Sequence, residues 1–275
     1  MPTIAKTKQP VRMPRFGHRV DKTDPIMRGC VGWWPLNDGA GAKAVDLSTS
    51  GNDLTVSGTV NWSSTTTGTA ADFIGTATSD FANTLPSISI EAADDVSYSV
   101  WINPDSATEQ GYLIGTIGSP ITGSGVYWGN VGSVRNVALT NGTTVTGYLV
   151  NIADIDYMGS WVHVVVTKVG SSGLVTVYIN GASAGTVTPS YAYTDGGDLR
   201  IGNRLSGTSD GTRFDGQIQN ARIYKRVLTA DEVSRLYTEP WAGLEPPSPF
   251  SFFSVPTAGA PLAVFYNHYK NQGII

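Results

Sequence analysis

One stretch, Trp161 to Thr167, limits what this chain can become. Drawn out as a strand, it sends Trp161, His163 and Val165 to one face and Val162, Val164 and Val166 to the other. A strand that is apolar on both faces has to be covered on both, which makes it a central strand in a layered fold. Leu174 to Ile179, then Asn180-Gly181, then Ala182 to Val187 follow directly. Asn-Gly accepts the positive φ of a type I′ turn, so these residues form a tight antiparallel hairpin. A chain of 275 residues has room for one large sandwich or two small domains.

The rest of the chain agrees with an all-β reading. Val, Ile, Tyr, Trp and Thr come in short runs parted by Gly, Asn and Asp, and charged residues make up only 15%. Cys30 to Leu36 is the first strand, with Trp33 and Trp34 on opposite faces. Val96 to Ile102 puts Tyr98, Val100 and Ile102 on one face and Ser97, Ser99 and Trp101 on the other, and Asn103-Pro104-Asp105 ends it. Leu113–Ile117, Val126–Trp128, Val134–Leu139 and Val145–Val150 are further short strands. Residues 56–90 are rich in Thr and Ser, with Phe73 and Phe81 as core contacts. One helix is expected. It follows the strand Ile218–Tyr224, with Thr229 as its cap and Glu232 at capping-box spacing. Leu228 and Val233 are placed as a hydrophobic staple, and Pro240 stops the helix.

Five pieces in order resemble laminin-G-like, concanavalin A-type jelly rolls, of the kind found in phage virion and adhesion proteins. They are the Gly-Cys-Val-Gly-Trp-Trp-Pro-Leu-Asn-Asp-Gly opening with Asp46–Thr55, and the strand with Trp101 before Pro104-Asp105. The Trp161–Thr167 and Val177-Tyr-Ile-Asn-Gly181 pair, Leu199–Asn203, and Phe214–Tyr237 complete the set. The resemblance covers residues 29–239 and implies a two-sheet antiparallel jelly-roll sandwich of about a dozen strands, with a short helix near its C-terminal end.

Outside that body the composition changes. Residues 1–28 hold seven basic and two acidic residues, a net of +5, while 29–239 carry a net of −9. Residues 240–275 are neutral, with six of the fifteen prolines and a run of aromatics. We therefore divide the chain into a basic extended arm (1–28), the jelly roll (29–239) and a Pro/aromatic-rich tail (240–275). Arg12, Arg15 and Arg19 in the arm are expected to dock on an acidic surface. Trp241, Phe250, Phe252, Phe253, Phe265 and Tyr266 in the tail need an apolar surface. That surface is a protein partner, a second copy, or the chain's own body. A nucleic-acid partner does not suit an acidic body, and no stretch is apolar enough to insert in a membrane. The basic N-terminus lacks the apolar run of a secretory signal, and the single Cys30 rules out an internal disulfide framework. The expected setting is synthesis in a cytoplasm, then display on a virion surface or outside the cell after lysis.

Catalytic signatures are missing. A glucanase on this fold carries Glu-x-Asp-x-x-Glu along one strand, placing two carboxylates about 5–9 Å apart, and no such run occurs. Asp94-Asp95 and Asp154-x-Asp156 sit in turn contexts. His163 reads as a hydrogen-bonded core residue, there is no Gly-x-Ser-x-Gly elbow, and no Cys/His metal spacing appears. The resemblance implies a calcium ion held by Asp46, Asn52, Asp53 and Gln219. Relatives carry an acid at the last position, and Gln219 supplies an oxygen without charge, so no cofactor is required. For glycan binding, the candidates are Tyr127, Trp128, Tyr191 and Tyr193, with ordinary sandwich packing as the competing reading. The expected function is a non-enzymatic structural or attachment protein on a virion surface, as capsid decoration or fibre. The alternative is a carbohydrate-binding or adhesion module.

Overall fold

The computed structural model describes residues 19–65, 68–74, 79–83, 88–105, 111–118, 122–131, 134–140, 149–152, 157, 159–189, 198–203 and 213–245. The strands run in chain order, beginning with β1 (Arg19–Val20), β2 (Cys30–Trp34), β3 (Lys43–Ala44), β4 (Leu54–Gly58), β5 (Val60–Thr65) and β6 (Gly68–Phe73). Next come β7 (Ser79–Asn83), β8 (Val96–Pro104), β9 (Gly111–Gly118), β10 (Thr122–Val131), β11 (Val134–Thr140) and β12 (Leu149–Asn151). The last are β13 (Val162–Lys168), β14 (Val175–Ile179), β15 (Ala182–Val187), β16 (Leu199–Ile201), β17 (Gly216–Tyr224) and β18 (Leu244–Glu245). One α-helix, α1 (Ala230–Thr238), follows β17.

Two eight-stranded sheets face each other, both antiparallel. The first has the order β15-β14-β13-β8-β17-β6-β5, with β2 also paired to β17. The second runs β12-β11-β10-β9-β16-β7-β4-β3. Between them lies a core that includes Trp34, Phe73, Tyr98, Ile102, Trp128 and Ile201, all essentially inaccessible to solvent. Tyr98 crosses that core, and its hydroxyl reaches Ser124 Oγ at 3.0 Å and the Ser124 carbonyl at 3.1 Å. The jelly-roll expectation therefore holds, with sixteen described strands in the two sheets where about a dozen were expected. The excess lies largely in the Thr/Ser-rich stretch. There β4 to β7 alternate half-exposed polar residues with Leu54, Ala71, Phe73 and Phe81, which face the core.

The fully apolar stretch is β13, buried along its whole length between β8 and β14. Val162, Val164 and Val166 point into the main core, while Val165 points outward to a second cluster. The turn after β14 has Asn180 at φ 51° and Gly181 at φ 81°, as a type I′ turn requires. Helix α1 carries the full capping box: Glu232 N donates to Thr229 Oγ1, and the Glu232 carboxylate accepts from Thr229 N. The same carboxylate makes a two-point pair with Arg226 at 2.7 and 2.8 Å. Among the described residues, no helix is long and apolar enough to cross a membrane.

The described parts of the two ends are built into the body. Strand β1 pairs with β18, matching Arg19 to Glu245 and Val20 to Leu244. Ile26, Trp241 and Ala242 join Trp33, Tyr224, Val233 and Leu236 in the second cluster, which lies outside the first sheet under α1. The packed unit thus extends at least from residue 19 to residue 245, beyond the 29–239 span read from the resemblance.

Candidate functional site

The outer face of the first sheet has two unlike halves. In one, β2, β13 and β17 present Trp33, Val165 and Tyr224 to α1 and to the chain ends. Arg222 is its centre and is fully buried without a carboxylate. Its guanidinium lies 3.8 Å from the centroid of the Trp33 ring and donates to the Ala242 carbonyl at 2.9 Å and the Pro240 carbonyl at 2.8 Å. Asn220, at φ 52° in the bulge between Gln219 and Arg222, accepts from Trp33 Nε1 at 2.7 Å and Arg222 Nε at 3.3 Å. The delocalised cation is satisfied by carbonyls and a ring face, the partners Arg uses best. This half is structural: it holds the C-terminal segment against the sheet.

The other half is polar and aromatic. Trp101 in β8 is opposite Gln219 in β17 on one side and His163 in β13 on the other. Tyr237, at the end of α1, stacks on Trp101 at 5.7 Å, and Trp101 stacks on His163 at 4.9 Å. Trp161 and Ala70 complete this small cluster. One register step along, Asn61, Asp72, Gln217 and Asn103 form a row across β5, β6, β17 and β8. Asn61 is exposed, and the other three are half-buried. Asn103 Nδ2 donates to Gln217 Oε1 at 3.1 Å, and Ser63 Oγ donates to Asp72. Gln219 is fully buried and donates Nε2 to the Thr69 carbonyl at 2.8 Å. Three buried atoms of this half, Trp101 Nε1, Gln219 Oε1 and Asn103 Oδ1, have no hydrogen-bond partner among the described residues.

Asp105 lies at the strand ends beside this row, and its amide donates to the Asp215 carbonyl at 3.3 Å. Partial burial, with the charges of Asp72 and Asp215 added, raises the Asp105 carboxyl above its usual range. Among the described residues, no three His, Cys, Asp or Glu side chains gather to hold a metal.

Among the described residues, Ser99 and His163 form the one arrangement that looks nucleophilic, with Ser99 Oγ 2.9 Å from His163 Nε2. Both residues are buried, His163 Nδ1 has no partner to fix its tautomer, and burial drives the imidazole down to about 3. A base needs substrate access and an orienting group, and this pair has neither. It is a core hydrogen bond, as the sequence suggested for His163. Cys30 is buried as well, and burial lifts its thiol to about 11, so it carries no thiolate at neutral pH.

The calcium set divides in two. Asp46, Asn52 and Asp53 share one turn, but the Asp46 carboxylate is already saturated. Oδ1 accepts from the Trp33 and Ser48 amides, both at 2.8 Å. Oδ2 accepts from Ser48 Oγ at 2.8 Å and the Asn52 amide at 2.9 Å. Asp53 Oδ1 accepts from the Asp46 amide at 2.9 Å, and the Asn52 carbonyl accepts from Trp34 Nε1 at 2.8 Å. A carboxylate offers about four lone-pair sites, and here all four are filled by donors. Gln219 turns its amide to Thr69 instead. These residues make a turn that ties β2 to its following loop, and they do not fit a cation.

Of the expected glycan residues, Trp128 is in the main core and Tyr127 is buried beside Tyr112 and Ala138, so neither offers a ring face. Tyr191 and Tyr193 lie outside the described residues. Of the docking residues, Arg19 is exposed in β1, paired with β18. Trp241 is buried on its own sheet, which corrects its assignment to a partner: the apolar surface it needs is the chain's own second cluster. Arg12, Arg15, Phe250, Phe252, Phe253, Phe265 and Tyr266 lie outside the described residues. Sequence reading missed the Asn61–Asp72–Gln217–Asn103 row. Its members are far apart in the chain and meet only through strand order. The visible signal was a polar residue alternating with a core residue in β6, β8 and β17.

Comparison with known proteins agrees with this architecture. Residues 76–234, more than half of the chain, match the family described as the concanavalin A-like lectin/glucanases superfamily. Domain 4 of AbnA, a GH43 extracellular arabinanase from Geobacillus stearothermophilus solved in complex with arabinotriose, superposes with a TM-score of 0.56 at 21% identity. The match covers 76% of this chain and 98% of that domain. The binding domain of Paraclostridial Mosquitocidal Protein 1 superposes with a TM-score of 0.56 at 18% identity over 77% of this chain and 52% of that one. The botulinum neurotoxin serotype G binding domain gives 0.54 at 18% identity over 76% and 50%. This chain thus spans about half the length of the two toxin domains. With its two sheets, its Trp-bearing strands and its capped final helix, the chain belongs to the concanavalin A-like lectin/glucanases superfamily.

Proposed function

We propose that the protein is a non-catalytic attachment module that recognises carbohydrate. The observation that carries this reading is the polar–aromatic half of the first sheet's outer face. Sugars present an apolar ring face and a polar edge of hydroxyls, each hydroxyl both donor and acceptor. The half-exposed Tyr237 ring, backed by the buried Trp101 and set beside planar amide and carboxylate side chains, suits both surfaces. The likeness to a domain solved with arabinotriose supports the reading, since it spans nearly that whole domain. The only described Ser–His pair is sealed in the core, which supports a binding role over hydrolysis. The test is electrophoresis through gels containing neutral polysaccharides, with reducing-end release followed in parallel. Retardation without release is the expected result. Release of reducing ends, or free migration through every polysaccharide, would refute the reading.

A second reading, a structural protein on a virion surface, is favoured by the sequence of the ends. The aromatics of residues 246–275 and the basic residues of 1–18 suit docking on an assembly partner or a second copy. It predicts a defined assembly of the full chain in analytical ultracentrifugation that is lost on deleting residues 246–275. A monomer in both cases would count against it.

A further inference from the structure

We infer that the two ends of the chain form one dimerisation element. They leave the body together at the β1–β18 pair and bind a second copy, tail against tail and basic arm against acidic body. The inference rests on the second reading above and deepens it by naming the partner and joining both ends in one interface.

The first observation is where the ends leave. Arg19 is opposite Glu245 in an antiparallel pair, so residues 1–18 and 246–275 depart from the same end of one ribbon, with roots about 5 Å apart. That root is fixed to the body. Asp21 N donates to the Gly243 carbonyl at 2.8 Å. Arg222 holds the Pro240 and Ala242 carbonyls, and Asn220 Nδ2 also donates to the Pro240 carbonyl. Val20 and Leu244, the other register pair of the ribbon, pack against the second cluster. Two segments held at one root meet a surface together, and each raises the effective concentration of the other.

The second observation is charge. Residues 1–18 carry Lys6, Lys8, Arg12 and Arg15, residues 246–275 carry Lys270, and neither segment has an Asp or Glu. All 22 acidic residues lie in 19–245 with 13 basic ones, so the ends hold +5 and the body −9. Close to the root the acids Asp24, Glu232 and Glu239 are already matched by Arg235 and Arg226 of the body. Two bodies of −9 repel each other, and basic arms laid between them offset that repulsion. The same body charge repels a nucleic acid or an anionic membrane, which makes either the poorer occupant.

The third observation is the supply of apolar surface. Residues 246–275 include Phe250, Phe252, Phe253, Phe265, Tyr266 and Tyr269. Each such ring buries about 150–250 Å², so together they need on the order of 1,000 Å². Among the described residues, the large apolar side chains exposed on the body are Val45 and Leu174, beside strands of different sheets. Neither the chain's own body nor a second body offers enough, whereas the tail of a second copy carries the same rings. A two-fold contact of tail with tail is self-complementary. Because both ends share one root, that contact also sets each arm beside its neighbour's body.

The experiment is sedimentation equilibrium of the full chain over a wide range of concentration, at low and at high salt. An arm variant combines Lys6→Glu, Lys8→Glu, Arg12→Glu and Arg15→Glu. A tail variant combines Phe250→Ser, Phe252→Ser and Phe253→Ser. All seven positions lie outside the packed unit of residues 19–245, and thermal melting checks that the body is unchanged. The expected wild type is a closed dimer that dissociates about tenfold more readily at high salt. The tail variant should be a monomer, and the arm variant should dimerise about tenfold more weakly, with an affinity that no longer falls with salt. A dimer lost in the tail variant but indifferent to salt and to the arm variant would overturn the joint interface and leave the second reading standing. An open series of larger species would overturn the two-fold pairing. A dimer that survives both variants, or a monomer throughout, would overturn the inference and the second reading together.

Discussion

The imidazole of His163 lies between the Trp101 ring and the Ser99 hydroxyl, and the charge of Arg222 on β17, beyond β8, also bears on it. Burial first, and that charge second, hold it neutral down to about pH 3. The unfolded chain takes up the proton near 6.5. His163 therefore supports the fold fully above pH 6.5, and the support is lost as pH falls from 6.5 towards 3, by about 1.4 kcal/mol per pH unit. Urea unfolding at stepped pH should show a steeper acid loss in wild type than in His163→Gln. Equal slopes would show that the ring is solvated. Arg222 makes a second residue-scale prediction. Its two-carbonyl grip and its stacking on Trp33 need a planar fork, so Arg222→Lys should cost about 2–3 kcal/mol although the charge is kept. Denaturant midpoints measure this, and a change under about 0.5 kcal/mol would mean that the carbonyls find other donors.

Among the elements, the turn from Asp46 to Asp53 is organised by one carboxylate. Four donors converge on Asp46, so adding calcium should leave the melting temperature unchanged, and Asp46→Ala should destabilise the protein by about 3 kcal/mol. A rise of several degrees at micromolar calcium would restore the metal reading. The short turn Pro25–Met27 and α1 are joined by Asp24 and Arg235, which meet at two points of 2.7 Å each. The Arg235 hydrogen bond is the main reason that the Asp24 carboxyl is held below its usual range. This element-scale latch was hidden in the sequence, because its partners lie far apart and neither belongs to a motif. The capping box of Thr229 and Glu232 was legible because all its parts lie within four residues. The hairpin at Asn180-Gly181 was legible for the same reason, since local backbone demands write themselves into local residues. The polar row was not, because strand order and register bring its members together.

For the whole molecule, the apolar faces of β8, β13 and β17 were enough to reveal the sandwich. They could not show how far it reaches. Residues 19–28 and 240–245 look like loose ends by composition, yet Ile26, Trp241 and Ala242 are buried in one cluster with α1. A charged residue in the middle of that cluster, Arg222, is what binds the segment, and its role depends on carbonyls that no sequence pattern marks. The two halves of the outer face then divide the work: one fastens the chain's own end, and the other presents the Tyr237 ring and a row of amides. The most direct test of that division is a ¹H–¹⁵N spectrum of the full chain during titration with the best neutral oligosaccharide, with the indole signal of Trp101 and the side-chain amides of Gln217, Gln219 and Asn103 assigned. The account predicts that these signals move together and saturate at one affinity while the indole of Trp33 stays in place. Shifts confined to residues of the second sheet, with the Trp101 indole unmoved, would contradict it.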